Sequence, residues 1–314
     1  VIIGKEAGKS NAAGGNATQY DVFIGMEAGY STTDTIRSVV IGYKAGYTMT
    51  IGSNSVIIGD QAGYTLTTTT KTVLIGKDAG YNINATGADG TVAIGYQAAN
   101  AVTSAAGLTA VGYKAATDIV DGYSNTAIGY QALFSEVASD QSTAVGYQAL
   151  YSQSGSTSTL GNTAVGDLAG YSTTTAYRNT YVGKSAGKNI TTAQQNTAIG
   201  WCAIQTVTTG TSNTAVGSMA GNSLSGSSSA NTLVGDQAGY NLTQTLGNTL
   251  VGYQAGSNGY TGERNTMLGY RAGQSIRGSN NVILGYDSAY VLSGSSSGNI
   301  ILGSSTGNVA ADID

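Results

Sequence analysis

One motif recurs along the whole chain, and its period constrains the fold more than any other feature of the sequence. An aliphatic residue precedes a marker glycine, and alanine follows three residues after it in most copies. The 314 residues hold 18 copies, and 11 of the 17 spacings between marker glycines are 17 residues. Helical-pair repeats need about 33 residues or more, so this period favours one coil of a β-solenoid. The marker glycines are Gly4, Gly25, Gly42, Gly59, Gly76, Gly95, Gly112, Gly129, Gly146, Gly166, Gly183, Gly200, Gly217, Gly235, Gly252, Gly269, Gly285 and Gly303.

The residues just before each marker glycine are typical of a short β-strand. Positions are numbered here from that glycine, so −1 precedes it and +1 follows it. Position −3 is Val, Thr or Ile in every copy, and position −1 is Ile, Val or Leu. These two positions share one face of a strand, because side chains alternate along it. Position −2 faces the other way and is never charged. A strand without polar character on either face is typical of sheets covered on both sides.

We interpret the face formed by positions −3 and −1 as the filling of the coil. Position −2 then faces outward and needs a cover. A flattened solenoid whose opposite wall supplies that cover is one interpretation, and a homotrimer that buries the column around a threefold axis is the favoured one. The predicted interchain face consists of Ala127, Ala144, Ala164, Ala198 and Ala215.

Two further columns stand at fixed positions. Asparagine at −4 repeats in the later copies, where stacked side-chain amides can hydrogen-bond as a ladder. Tyrosine stands at +1 in eight copies and at +5 in eight others, so these columns hold 16 of the 21 tyrosines. Examples are Tyr130, Tyr147, Tyr253 and Tyr270 at +1, and Tyr47 and Tyr64 at +5. The asparagines are Asn125, Asn162, Asn179, Asn196, Asn213, Asn231, Asn248, Asn265, Asn281 and Asn299.

Composition excludes several classes of function. Histidine is absent, which removes a histidine base and a histidine metal site. One cysteine allows neither an internal disulfide nor a thiolate zinc site. A net charge of −4 gives no basic footprint for nucleic acid, and the chain has no run of about 18 apolar residues that would span a membrane. We therefore expect no enzyme activity and no cofactor.

Weaker signals have simple structural interpretations. The stretch from Gly4 to Ser10 resembles a phosphate-binding loop, but its glycines are one residue too close. Asp118 and Asp121 are candidate calcium ligands, although solvated acids are the more common explanation. Cys202 is interpreted as an incidental thiol, and Trp201 occupies a tyrosine-column position. Glycosylation sequons stand at Asn16, Asn84, Asn189 and Asn241.

Threonine runs at 67–70 and 173–175 raise an ice-binding alternative. Ice-binding faces need threonines at one position in successive coils, whereas these runs lie in loops of uneven length. The regular threonine column stands in the strand, which we interpret as interior.

The stretches NTAIGYQAL (125–133), STAVGYQAL (142–150), NTAVGDLAG (162–170) and NTLVGYQAG (248–256) resemble the repeats of viral tail-fibre and appendage proteins. They are also similar to the SVAIG-type repeats in the heads of trimeric autotransporter adhesins. The resemblance covers the whole chain and implies a trimeric, parallel left-handed β-roll that forms a rigid rod and binds host surfaces. The longer period and the tyrosine columns favour the viral group over the adhesin heads.

The sequence therefore predicts an all-β, parallel β-solenoid of about 18 coils over residues 1–314, a segment of a longer homotrimeric fibre. Its expected role is a shaft on a virion or in the extracellular space, with a host glycan or protein as partner and with end-to-end assembly. A bacterial adhesin, a self-assembling extracellular filament and an ice-binding solenoid are the alternatives.

Overall fold

The chain is an all-β solenoid of short parallel strands. The computed structural model describes residues 1–12, 20–68, 70–84, 86–155, 160–259, 261–290 and 297–305. Within these residues 18 strands follow the repeat, with one strand before each marker glycine. The chain divides into two compact units, Val1–Gly161 and Asn162–Asp314.

Each unit holds nine strands. The first unit contains β1 (Ile2–Ile3), β2 (Val22–Ile24), β3 (Val39–Ile41), β4 (Val56–Ile58), β5 (Val73–Ile75), β6 (Val92–Ile94), β7 (Thr109–Val111), β8 (Thr126–Ile128) and β9 (Thr143–Val145). The second contains β10 (Thr163–Val165), β11 (Thr180–Val182), β12 (Thr197–Ile199), β13 (Thr214–Val216), β14 (Thr232–Val234), β15 (Thr249–Val251), β16 (Thr266–Leu268), β17 (Val282–Leu284) and β18 (Ile300–Leu302). Two 3₁₀ turns, Lys9–Ala12 and Thr86–Ala88, lie in the first unit.

Successive strands within each unit pair in parallel and in register. Ala127 lies beside Ala144, for example, and Thr197 lies beside Thr214. Backbone bonds also join the corners, since the N–H of Gly46 donates to the carbonyl oxygen of Ala62 at 2.9 Å. Each coil is therefore bonded to its neighbours around much of its circumference, at the strand spacing of about 4.8 Å.

The marker glycines occupy a backbone conformation that other residues rarely adopt. Their φ angles all lie between +125° and +143°. A Cβ atom at Gly200 would also meet the carbonyl oxygen of Gly217 in the next coil. Glycine is thus required twice at this position, once for its φ angle and once for the close approach of neighbouring coils.

The strand faces lie opposite to the sequence interpretation. Ala127, Ala144, Ala164, Ala198 and Ala215 are all 0% exposed within the single chain, because position −2 points into the coil. They cannot form an interchain face, so that prediction is wrong. Positions −3 and −1 face outward instead. The pattern fixed which positions share a face, but both faces were apolar, so alternation alone could not assign inside and outside.

The interior keeps its volume by compensation between two positions. Where position −2 is large, position +4 is glycine in the described coils except one, in which Ala289 accompanies Ile283; a Cβ at Gly187 would meet the ring of Tyr181. Where position −2 is Ala127 or Ala144, position +4 is Leu133 or Leu150, both fully buried. These leucines have φ angles of +52° and +49°, close to the +60° of Gly187. Space, more than backbone conformation, therefore decides where glycine stands at +4.

The double requirement at the marker position predicts that Gly200→Ala is strongly destabilising. The new Cβ would be strained by the φ of +133° and would collide with the backbone of the next coil. We expect a loss of more than about 3 kcal/mol in the free energy of unfolding, measured by urea denaturation.

Gly247→Ala is the matched control. Gly247 has a φ of +70°, but the only neighbouring atom near its Cβ position is Cγ of Arg264 at 3.7 Å. Its expected cost is about 1 kcal/mol, the strain of alanine in the left-handed region. Equal losses in the two variants would contradict the role assigned to the coil contact.

Candidate functional site

The described residues contain no cluster typical of an active site. No group of three or more His, Cys, Asp or Glu side chains within them could hold a metal ion. In the stretch that resembles a phosphate-binding loop, Lys9 donates to the Tyr30 hydroxyl at 2.9 Å and pairs with Glu6 at 3.4 Å. That lysine is therefore engaged by its own and the next coil.

No helix in the described part of the chain has the length and apolar character needed to cross a membrane.

The asparagine column is a buried hydrogen-bonded ladder in the second unit. Asn213 illustrates its pattern: its backbone N–H donates to Oδ1 of Asn196 at 3.0 Å, and its Nδ2 donates to the same atom at 2.9 Å. The same Nδ2 also donates across the coil to the Ser228 carbonyl oxygen at 2.7 Å. Where both bonds form, as at Asn179, Asn196, Asn213, Asn231, Asn248 and Asn265, the ladder ties the strand to the coil before it and to the opposite wall. Its members are Asn162, Asn179, Asn196, Asn213, Asn231, Asn248, Asn265, Asn281 and Asn299, none more than 4% exposed.

The same position is less regular in the first unit. Serine or threonine replaces asparagine in five coils there, and Asp21 and Leu108 stand at the position in two others. The N–H of Ser55 reaches Oγ of Ser38 only at 3.4 Å, whereas the N–H of Ser38 donates to Oδ1 of Asp21 at 2.7 Å. Asn125 is the exception, with Nδ2 donating to Ser139 at 2.7 Å. The strand is therefore held less tightly from behind where serine occupies this position than where asparagine does.

The tyrosine columns form ring stacks on the surface. Tyr47 and Tyr64 have ring centroids 5.2 Å apart, and Tyr130 and Tyr147 are 5.3 Å apart. Tyr253 and Tyr270 are 5.0 Å apart. Three stacks are continuous over three or four coils: Tyr30–Tyr47–Tyr64–Tyr81, Tyr96–Tyr113–Tyr130–Tyr147 and Tyr253–Tyr270–Tyr286.

This stacking limits what the tyrosines can bind. A ring inside a stack has both faces covered by its neighbours, so it presents its edge and hydroxyl to solvent. Sugars bind aromatic side chains through the ring faces, which remain open only at stack ends. Trp201 is 50% exposed and has no stacked aromatic partner among the described residues.

The outward strand face changes its chemistry along the chain. In β2–β6 it carries valine at −3 and isoleucine at −1, all half-buried; we call this the aliphatic face. It consists of Val22, Ile24, Val39, Ile41, Val56, Ile58, Val73, Ile75, Val92 and Ile94.

In β10–β16 the same positions carry threonine and an aliphatic residue; we call this the threonine face. It consists of Thr163, Val165, Thr180, Val182, Thr197, Ile199, Thr214, Val216, Thr232, Val234, Thr249, Val251, Thr266 and Leu268. The exposure of this face shows that the interpretation of the threonine column as interior is wrong.

Sequence reasoning missed a buried carboxylate at Glu136. It replaces an aliphatic residue in the interior column at +7 and is 0% exposed. Its Oε1 accepts the backbone N–H groups of Val137, Ala138 and Ser139 at 2.8–3.1 Å, while Oε2 is buried without a partner. A charge in a column that is otherwise uncharged and mostly aliphatic was the available signal. Full burial keeps this carboxylate from any substrate, so it organises the local turn.

The other weak signals do not assemble into a site. Burial raises the pKa of the Cys202 thiol, which disfavours its reactive thiolate form. Burial also raises the pKa of Asp118. The sequons at Asn84 and Asn189 are exposed, whereas Asn16 lies outside the described residues, as does Thr69 in the first threonine run.

Comparison with protein-family models, with curated proteins and with solved structures finds no match to this chain. Function therefore has to be argued from the geometry of the chain itself.

Tyr181 is a buried tyrosine in the interior of the second unit. Its side chain is fully buried, and its hydroxyl has no hydrogen-bond partner. Burial raises the pKa of Tyr181, and the nearby Thr173 hydroxyl opposes this shift.

Tyr181→Phe should therefore stabilise the protein. Removing a buried hydroxyl that lacks a partner is expected to raise the free energy of unfolding by about 1 kcal/mol at pH 7. Because the pKa of Tyr181 is higher in the folded protein than in the unfolded chain, the unfolded chain releases the proton first. The contribution of this group to the free energy of unfolding of wild type is therefore intact below about pH 10 and is lost as the pH rises further. The stability advantage of the variant should grow above pH 10 by at most about 1.4 kcal/mol per pH unit.

Urea denaturation from pH 7 to pH 11 measures both effects. Tyr240→Phe is the control, since Tyr240 is only partly buried and its substitution should not stabilise the protein at pH 7. A Tyr181→Phe variant less stable than wild type would contradict this assignment.

Proposed function

We propose that the chain is a structural shaft segment of a fibre or appendage on a virus or phage, which extends from the particle and mediates host attachment. One observation carries the proposal: the coils are filled by their own side chains and bonded to their neighbours within each unit. In such an array stability is a sum over nearest neighbours, so length can be extended without a larger core. The resemblance of the repeats to tail-fibre sequences supports the viral assignment.

A shaft of this kind belongs on the outside of a particle or cell. Low charge, polar loops and stacked tyrosines give it a weakly charged, polar surface. We propose that a host glycan or surface protein is met at these loops, with the tyrosine hydroxyls and ring edges supplying polar contacts.

We further propose that the chain assembles as a homotrimer through the aliphatic face. Interior alanines no longer support this interface, but ten half-buried valines and isoleucines on one outward face do. Contiguous exposed apolar surface marks sites of protein association. The similarity to trimeric adhesin heads favours three chains over two.

Immunogold labelling of the source particles and cells with antibodies against the chain tests the shaft proposal. We expect label along projections on virions, because a shaft has to lie outside the particle. Label on filaments of uninfected cells would instead favour the bacterial adhesin or filament. Label confined to the cell interior would contradict every fibre role.

Ile58→Arg tests the interface. Ile58 faces outward, so arginine there should leave the fold intact but place a charge in the trimer contact. We expect wild type to sediment as a trimer and the variant to assemble at least tenfold more weakly, with an unchanged circular dichroism spectrum.

Ile51→Arg is the matched control, because Ile51 is 46% exposed but lies outside the aliphatic face. It should assemble like wild type. A wild-type chain that sediments as a monomer at all concentrations would contradict the trimer. It would not bear on the shaft proposal, which the immunogold labelling tests separately.

A further inference from the structure

The threonine face is a regular two-column array. Its seven strands are paired in parallel register, so Thr197 lies beside Thr180 on one side and beside Thr214 on the other. The −1 column runs alongside it in the same register, as Val182, Ile199 and Val216 show. The repeat along the array is the strand spacing of about 4.8 Å.

The hydroxyls of this array are available to solvent. Thr232, Thr249 and Thr266 are exposed, and the other four threonines are half-buried. None of the seven hydroxyls makes a hydrogen bond to another group in the described part of the chain. Neither column contains a charged residue; charge stands on either side of the array, at +1, where Lys184 and Asp167 pair at 3.3 Å, and at −5, where Arg178 and Arg264 are exposed.

The array is held rigidly from behind. The N–H of Thr197 donates to the Asn213 carbonyl oxygen at 2.8 Å, and Asn213 is fixed by the buried ladder. Behind the strands, Ala198 and Ala215 are completely buried. Since threonine has a β-branched side chain with few rotamers, fixed backbones also fix the directions of its hydroxyls and methyl groups.

Such an array distinguishes ordered water from liquid water. A water that bridges protein groups costs up to about 2 kcal/mol in immobilisation entropy. Liquid water at seven or more fixed positions has to lose that entropy, whereas water at the surface of ice has already lost it. The strand spacing is also close to the repeat of equivalent oxygens along the a axis of hexagonal ice. Hydroxyls supply hydrogen bonds to that lattice, and the aliphatic column excludes competing liquid water.

We propose that the threonine face binds the surface of ice. A second copy of the chain is a poorer occupant, because a dry contact would bury seven hydroxyls. Each hydroxyl left without a partner costs about 1–3 kcal/mol. The aliphatic face of the first unit has the same strand geometry without hydroxyls and therefore suits protein contact instead. The stacked tyrosine rings have their faces covered by their neighbours, so they suit neither ice binding nor apolar protein contact.

The test measures thermal hysteresis and inhibition of ice recrystallisation by the full 314-residue chain. We expect wild type to produce both effects. The double variant Thr197→Lys and Thr214→Lys places two charges in the middle of the array, and its hysteresis should fall at least tenfold. Thr209→Lys is the control, because Thr209 is exposed in a loop of the same unit away from the array; it should retain wild-type hysteresis.

Circular dichroism and sedimentation of all three proteins complete the test. Matching spectra and melting temperatures show that the variants fold, so a selective loss in the double variant supports the proposal. A wild-type chain without effect on ice, or a double variant as active as wild type, overturns it. If wild type has no effect on ice but self-associates, and the double variant does not self-associate, then a second copy of the chain occupies this face. That outcome likewise overturns the ice-binding proposal.

Discussion

The close approach of neighbouring coils at the marker glycine is the constraint on which the rest of the structure depends. With φ angles between +125° and +143°, these glycines place the backbones of successive coils in direct contact. A side chain there would push the coils apart and break the hydrogen bonds on both sides. Because the contact recurs once per coil, it also sets the register: each strand has to begin three residues before it, beside the equivalent strand of its neighbour.

A fixed register turns every other column into a stack of like residues. Buried asparagines become a ladder, surface tyrosines become ring stacks, and interior residues meet the same neighbours in coil after coil. The interior then needs only a constant volume, which is why Tyr181 is accompanied by Gly187 and Ala127 by Leu133. Length variation is confined to the loops, where it does not disturb the register.

Such a solenoid separates stability from surface chemistry. The interior and the inter-coil hydrogen bonds support each coil, so the outward strand positions are free to differ between regions. Strands β2–β6 use this freedom for an aliphatic face and strands β10–β16 for a threonine face. The two surfaces have the same backbone geometry, and their different hydroxyl content decides which partner each can accept: apolar protein surface for one and ordered water for the other.

The sequence by itself determined the period, the strand positions, the role of glycines such as Gly200 and the asparagine column. These features depend on local backbone conformation and on repetition, both of which are visible in one dimension. Only the tertiary structure decided which strand face lies inside, because Ala127 and its neighbours at −3 and −1 were all compatible with burial. Ten threonines at −3 were the available signal, since a whole column of hydroxyls is satisfied more easily by solvent than in an interior. The placement of Glu136, and the pairing of large residues with glycine at +4, likewise required the fold, because they depend on the space between walls that are distant in sequence.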